Sequence, residues 1–216
     1  MESPSACREI NDMAWKVPFV NATRNYQLIK SEIDAAYHDV MGRGDLIMRG
    51  HLQRFEEDLA KFVGTRFAIG LNSGYDALHL SLRACGIGPG HEVIVPAHTF
   101  VATASAVVNA GATPVLVDVG RDFNIDVDRI DAAISPRTRG ILPVHLSGYM
   151  ADMPRIMKIA KERELVVIED ACQSLGSSAF RKGGAALFEF PGLAVAGRGV
   201  LQWVLTPGQL RSLKQD

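Results

Sequence analysis

Val166-Val167-Ile168-Glu169-Asp170-Ala171-Cys172-Gln173-Ser174 runs three β-branched apolar residues straight into two carboxylates and a polar loop. A short apolar run of this kind, closed by polar residues, reads as a buried strand. An acid at the end of such a strand is costly to desolvate unless it meets a cation or hydrogen-bond donors, so Asp170 is expected to have a specific partner. From the residues alone that partner is a ligand nitrogen, a basic side chain, or the amides of a helix that Asp170 caps.

Working outward, similar β-rich runs occur at Phe67 to Leu71, Glu92 to Val95, Thr113 to Val117 and Gly140 to Val144. Between them lie segments of helical period: Leu52, Phe55, Leu59 and Phe62; Leu78, Leu82 and Cys85; Met153, Ile156, Met157 and Ala160. Strand alternating with helix predicts an α/β fold, a three-layer α-β-α arrangement around a mostly parallel sheet. Such sheets bind ligands in the loops beyond the carboxyl ends of their strands.

The first of these loops is Asn72-Ser73-Gly74-Tyr75-Asp76-Ala77-Leu78, where a strand gives way to a helix through a glycine. First-turn amides lack carbonyl partners within the helix and, with the helix dipole, can hold a phosphate. Ser73 and the amides of Gly74, Tyr75 and Asp76 are the natural donors, although the same residue types also serve as plain helix caps. The second loop, Pro96-Ala97-His98-Thr99-Phe100-Val101-Ala102-Thr103, places Phe100 at a strand end, either to cover a flat ligand ring or to fill the core. His98 and His145 also end strands, but with His79 and His91 they form no metal-ligand spacing, so no metal site is indicated. Gly86-Ile87-Gly88-Pro89-Gly90 follows a helix and precedes a strand, the reverse of a dinucleotide-binding loop, and is read as a connecting turn. Without a GxGxxG between the first strand and helix, a nucleotide-dependent oxidoreductase or epimerase is disfavoured.

Bulk composition narrows the classes further. With 216 residues, 47% of them hydrophobic, the chain can bury one substantial core. Its 23 basic and 24 acidic side chains give a net charge of -1, which offers no footprint for nucleic acid or an anionic membrane, so small molecules or another subunit are the expected partners. Cys7, Cys85 and Cys172 make neither a disulfide framework nor a CxxC pair. Met1 to Lys16 has no signal-like apolar stretch, and Ala185 to Leu205 is broken by Glu189, Pro191 and Arg198. A cytoplasmic protein that does not cross a membrane is expected.

From Val17 to Ala179 the chain resembles the DegT/DnrJ/EryC1/StrS family of sugar-nucleotide aminotransferases, which use pyridoxal phosphate on the fold-type I scaffold. The resemblance is carried, in order, by Val17-Pro18-Phe19, Asn72 to Leu78, Gly86 to Gly90, Pro96 to Thr103, Gly111-Ala112-Thr113-Pro114, Pro143-Val144-His145-Leu146 and Glu169 to Gln173. It implies the large domain of a fold-type I transferase in a family of dimers, with pyridoxal phosphate as cofactor. By the same resemblance Gly74, Tyr75 and Asp76 supply amides to the phosphate, beside the Ser73 donor read from the loop itself, Phe100 stacks on the pyridine ring, Asp170 pairs with the ring nitrogen and Gln173 approaches the phenolic oxygen. A carboxylate beside that nitrogen favours its protonated form and makes the ring an electron sink. The implied reaction moves an amino group, usually from glutamate, to a keto-sugar nucleotide in polysaccharide or aminosugar biosynthesis.

Two departures stand out. Tyr75 replaces a threonine or serine common in relatives, a change that spares the backbone amide. Beyond Phe180 the expected serine and Schiff-base lysine are missing: the tail offers only Lys182 and Lys214, out of context, and Arg198 stands near the lysine's place. A guanidinium with pKa above about 12 neither forms the imine nor shuttles a proton near neutrality. The expected organisation is an N-terminal extension over residues 1–16, a cofactor-binding portion over 17–180, and an atypical tail over 181–216 from a frameshift or truncation, without the C-terminal small domain. On that expectation no catalytic lysine is present and borohydride traps no lysine adduct. The alternative is a non-catalytic fragment that binds cofactor or sugar nucleotide, or a partner subunit of an intact aminotransferase.

Overall fold

The computed structural model describes residues 21–44, 46–47, 50–175 and 185–187. The chain divides into two compact units, Met1–Leu46 and Ile47–Asp216. The first contains α1 (Ala22–Arg43), which starts where the Asn21 side chain accepts the Arg24 N–H at 2.9 Å and stops where Gly44 turns left-handed at φ 66°. Ion pairs Lys30–Asp34 and Asp39–Arg43 at i,i+4 spacing line α1, and none of its residues is buried.

The second unit holds α2 (Gly50–Val63), α3 (Gly74–Ala84), β1 (Glu92–Pro96), α4 (Val101–Asn109) and β2 (Thr113–Val117), then a 3-10 turn (Val127–Arg129) leading into α5 (Ile130–Ala133). These are followed by β3 (Thr138–Ile141), a 3-10 turn (Leu146–Gly148), α6 (Met153–Glu162), β4 (Val166–Asp170) and β5 (Ala185–Leu187). The strands form one parallel sheet in the order β2-β1-β3-β4-β5.

Strand periodicity sorts the core into two layers. Val93, Val95, Leu142, Val144 and Ile168 pack with Ala77, Leu78 and Leu82 of α3 and Ala106 and Val107 of α4. The alternate residues Ile94, Ile141 and Val167 pack on the opposite face with Ile130 of α5 and Met153, Ile156 and Ala160 of α6. Successive side chains of a strand point to opposite faces, so this split is the α-β-α sandwich expected from the sequence. At the amino end of the sheet Glu92 is buried and ties β1 to the turn before β3. It accepts from the Ser135 hydroxyl and from Arg137 Nε at 2.9 Å and Nη2 at 2.5 Å. The Ser135 hydrogen bond first, and Arg137 after it, hold this carboxyl below its ordinary value of 4.5 against the opposing effect of desolvation.

Strand boundaries depart from expectation in three places. Phe67 to Leu71 has the strand-like alternation, with Phe67, Ile69 and Leu71 exposed, but it pairs with no strand among the described residues. Its inward side instead packs on α2: the Gly70 N–H donates to Glu56 at 2.7 Å, and a Cβ on Gly70 would lie 2.5 Å from Leu52 Cδ1. The ladder predicted over Gly140 to Val144 occupies Thr138–Ile141, with Val144 forming a lone parallel bridge to Asp170. The loop predicted to run to Thr103 ends at Phe100, after which α4 begins. Residues 1–16 and most of 181–216 lie outside the described residues, as do Lys182, Arg198 and Lys214. Within that tail, Ala185–Leu187 pairs with β4 as β5, a strand the sequence reading did not anticipate.

Candidate functional site

Strand order reverses around β1: the chain moves from β1 outward to β2, then returns to the other side of β1 for β3 and β4. Such a switch point opens a crevice outside the carboxyl ends of the strands. A groove lies there. Thr99, Phe100 and Ala102 line it beyond β1, Val144, His145 and Leu146 beyond β3, and Asp170, Cys172 and Gln173 beyond β4. Gly74, Tyr75 and Leu78, from the amino end of α3, complete it.

At α3 the Ser73 backbone is extended and its side chain accepts the Asp76 N–H at 3.1 Å, while the Ala77 N–H reaches the Ser73 carbonyl at 3.1 Å. Capping therefore engages the Asp76 amide, while Gly74 and Tyr75, the first two residues of the helix, line the groove. The Tyr75 hydroxyl accepts from Asn109 Nδ2 at 2.6 Å and its ring stacks on His79 at 6.2 Å, which ties the side chain to α3 and α4.

Asp170 lines the same groove as this helix end. Because Ile168 faces α3 and α4, Asp170, two residues on, faces them too, and it meets Thr103 of α4. Thr103 has no exposed surface and donates its hydroxyl to Asp170 Oδ2 at 3.0 Å. The carboxylate can only accept, so the Thr103 proton is committed to it. Thr99, 2.9 Å from Thr103, is then the donor of the next bond, giving a directed chain Thr99 to Thr103 to Asp170. The other oxygen, Oδ1, receives the Cys172 N–H at 3.4 Å, a long bond that leaves acceptor capacity on a side chain only 6% exposed.

Gln173 is held at its oxygen end: Oε1 accepts the Ser147 N–H at 2.5 Å, so the amide NH2 is the end left to meet an acceptor. Ser147 has φ 55° and ψ 24°, a left-handed conformation uncommon for serine. Asn124, buried, keeps the same loop in place by accepting the Leu146 N–H at 3.2 Å and donating to the Tyr149 carbonyl at 3.2 Å. Phe100, the residue before α4, is 68% exposed at the groove.

Five residues that the sequence singled out, Gly74, Tyr75, Phe100, Asp170 and Gln173, thus share one groove, whereas Ser73 and Asp76 form the cap beneath it. Thr99 and Thr103 were missed as individuals although the loop containing them was noticed. The available signal was helical spacing, since a threonine three residues after Phe100 lies on the inward face of the first turn. His145 was considered only as a metal ligand; the structure buries it against Glu169.

A family model described as the DegT/DnrJ/EryC1/StrS aminotransferase family matches residues 27–186. A curated dTDP-3-amino-3,4,6-trideoxy-alpha-D-glucose transaminase of Streptomyces venezuelae is 44% identical over 163 residues, 75% of this chain and 43% of that protein. The crystal structure of DesV from S. venezuelae superposes with a TM-score of 0.78 at 42% identity, covering 82% of this chain and 49% of that one. That of NtdA from Bacillus subtilis, with bound cofactor PMP, gives 0.71 at 40% identity, covering 77% and 39%. The chain thus spans less than half the length of these relatives.

Proposed function

The chain belongs to the DegT/DnrJ/EryC1/StrS aminotransferase family, and from that premise we propose that its groove binds pyridoxal phosphate as the cofactor-cradling part of a sugar-nucleotide aminotransferase. The observation that carries this reading is Asp170: a buried carboxylate with acceptor capacity to spare, lining the same groove as the amino end of a helix. A ligand satisfying both must present a cationic N–H at one end and an anion at the other. A phosphorylated pyridinium has that pattern, and an exposed aromatic ring at the same groove suits its flat face. The donor set therefore fits the group.

When bound, pyridoxal phosphate supplies an electron-poor ring that stabilises negative charge developing on a carbon joined to the substrate nitrogen. Each residue has a separable task. Asp170 keeps the proton on the ring nitrogen, and Thr103 with Thr99 fixes the carboxylate for that task. The Gly74 and Tyr75 amides bind the phosphate. Phe100 covers the ring and excludes water from one face. Gln173, held through Ser147, directs its NH2 to an oxygen of the ring. The proposed substrates are a keto-sugar nucleotide and an amino acid donor, glutamate foremost, for a cytoplasmic route to polysaccharides or aminosugars, with assembly as a dimer.

One observation supports a second reading, a cofactor-binding chain without transaminase activity of its own, or a partner subunit of an intact aminotransferase. Lys30, Lys61, Lys158 and Lys161, the lysines of the described residues, do not line the groove.

Calorimetric titration with pyridoxal phosphate, pyridoxal and NAD tests the cofactor assignment. Pyridoxal phosphate should bind at least about tenfold more tightly than pyridoxal, the worth of one charge-assisted phosphate contact, and NAD should not compete. Equal binding of the two pyridoxal forms, or preferential binding of NAD, rejects it.

A further inference from the structure

Behind Asp170, on the opposite face of the sheet, lies a second buried pair that the cofactor assignment does not use. Strand alternation turns Glu169 away from Asp170, and the same alternation turns His145 away from Val144. His145 has no exposed surface and Glu169 is 5% exposed; His145 Nε2 lies 3.0 Å from Glu169 Oε2. The other ring nitrogen, Nδ1, accepts the Ala151 N–H at 3.2 Å, so it carries no proton. That fixes the ring as the neutral tautomer with hydrogen on Nε2, donating to the Glu169 carboxylate.

The backbone of the same residues closes the arrangement. The His145 N–H donates to the Asp170 carbonyl at 3.1 Å, and the Asp170 N–H donates to the Pro143 carbonyl at 2.9 Å. His145 therefore grips β4 twice, by its amide at Asp170 and by its ring at Glu169, and through Ala151 it also ties down the far end of the loop that begins at Leu146. That loop supplies the Ser147 N–H that orients Gln173. His145 borders the groove but has no exposed surface, and its two ring nitrogens are engaged by Glu169 and the Ala151 amide.

We propose that the His145–Glu169 pair is a positioning device that holds the loop after His145, whose Ser147 N–H orients Gln173, at a fixed separation from Asp170 on β4, so that both meet one ligand. This rests on the reading of the groove as a cofactor site, but its physical content concerns the ligand-free chain. The pair acts through a hydrogen bond of defined direction, so a glutamine at 169 can accept the same Nε2 proton, whereas an apolar residue cannot.

The test compares His145→Phe, Glu169→Leu and Glu169→Gln in the full chain, by amide hydrogen exchange without ligand and by pyridoxal phosphate titration. In His145→Phe and Glu169→Leu, exchange should quicken about tenfold or more over residues 144–151 and 169–174, with β1 and β2 unchanged, and affinity should fall by a similar factor. Glu169→Gln should stay within about threefold of the parent in both readouts. If His145→Phe does not fold, Glu169→Leu carries the same comparison. Unaltered local exchange, loss spread evenly over the sheet, or a Glu169→Gln variant as impaired as Glu169→Leu overturns the proposal. If the parent chain itself fails to bind pyridoxal phosphate, the cofactor reading falls, while the exchange pattern still decides the role of this pair.

Discussion

Thr103→Val removes one hydroxyl and little else, because valine matches threonine in shape and Thr103 has no exposed surface. What remains is a carboxylate 6% exposed, deprived of its 3.0 Å donor and left with the 3.4 Å contact from the Cys172 amide. A hydrogen bond to a charged group is worth about 1.5 to 3 kcal/mol, and water has little access to replace it. At roughly 2 to 4 °C per kcal/mol for a chain of this size, the melting point should drop by about 3 to 12 °C. Urea unfolding, read by far-ultraviolet circular dichroism, measures the loss directly. A double-mutant cycle with Asp170→Asn should return a coupling of at least about 1 kcal/mol, and Thr103→Ser should recover most of the stability. If Thr103→Val unfolds within about 0.5 kcal/mol of the parent, the Thr103–Asp170 bond is not made and the directed chain from Thr99 has no basis.

Two other outcomes follow from features away from the groove. Glu92 is held below its ordinary value in the folded state, so its contribution is present above the unfolded value of 4.5 and is lost as pH falls through the folded one. Glu92→Gln should therefore lower the urea midpoint near neutral pH, and the gap from the parent should close under acid conditions; a gap that is constant with pH contradicts this. Gly111 turns left-handed at φ 87°, and a Cβ there would meet Pro89 at 3.0 Å, so Gly111→Ala should cost about 1 to 3 kcal/mol of stability in the same unfolding assay. A variant as stable as the parent would show that the turn after α4 is not built as described.

The sheet was legible because its central strands are apolar on both faces: Val93, Ile94 and Val95, like Val167 and Ile168, have no polar interruption, and burial from both sides requires none. Phe67 to Leu71 carries the same residue types and forms no ladder among the described residues. Composition reports fitness for a pleated surface, while a strand also needs a neighbour, which local sequence cannot report. Asp170 stood out because a carboxylate on an apolar strand is anomalous. Thr103 did not, because a threonine in the first turn of a helix is ordinary until its hydroxyl is seen to meet a residue 67 positions away. His145 was passed over for a related reason: its partners, Glu169 and the Ala151 amide, are supplied by the parallel pairing of β3 with β4 and by the turn before α6.

The most direct test of the central claim is the nitrogen-15 NMR spectrum of pyridoxal phosphate labelled at its ring nitrogen and bound to this chain. Asp170 should hold the bound nitrogen in its protonated form at a pH where the free cofactor has lost that proton, and Asp170→Asn should return the resonance to the unprotonated position. A bound nitrogen that is unprotonated in the parent chain, or one whose protonation survives Asp170→Asn, would contradict the account.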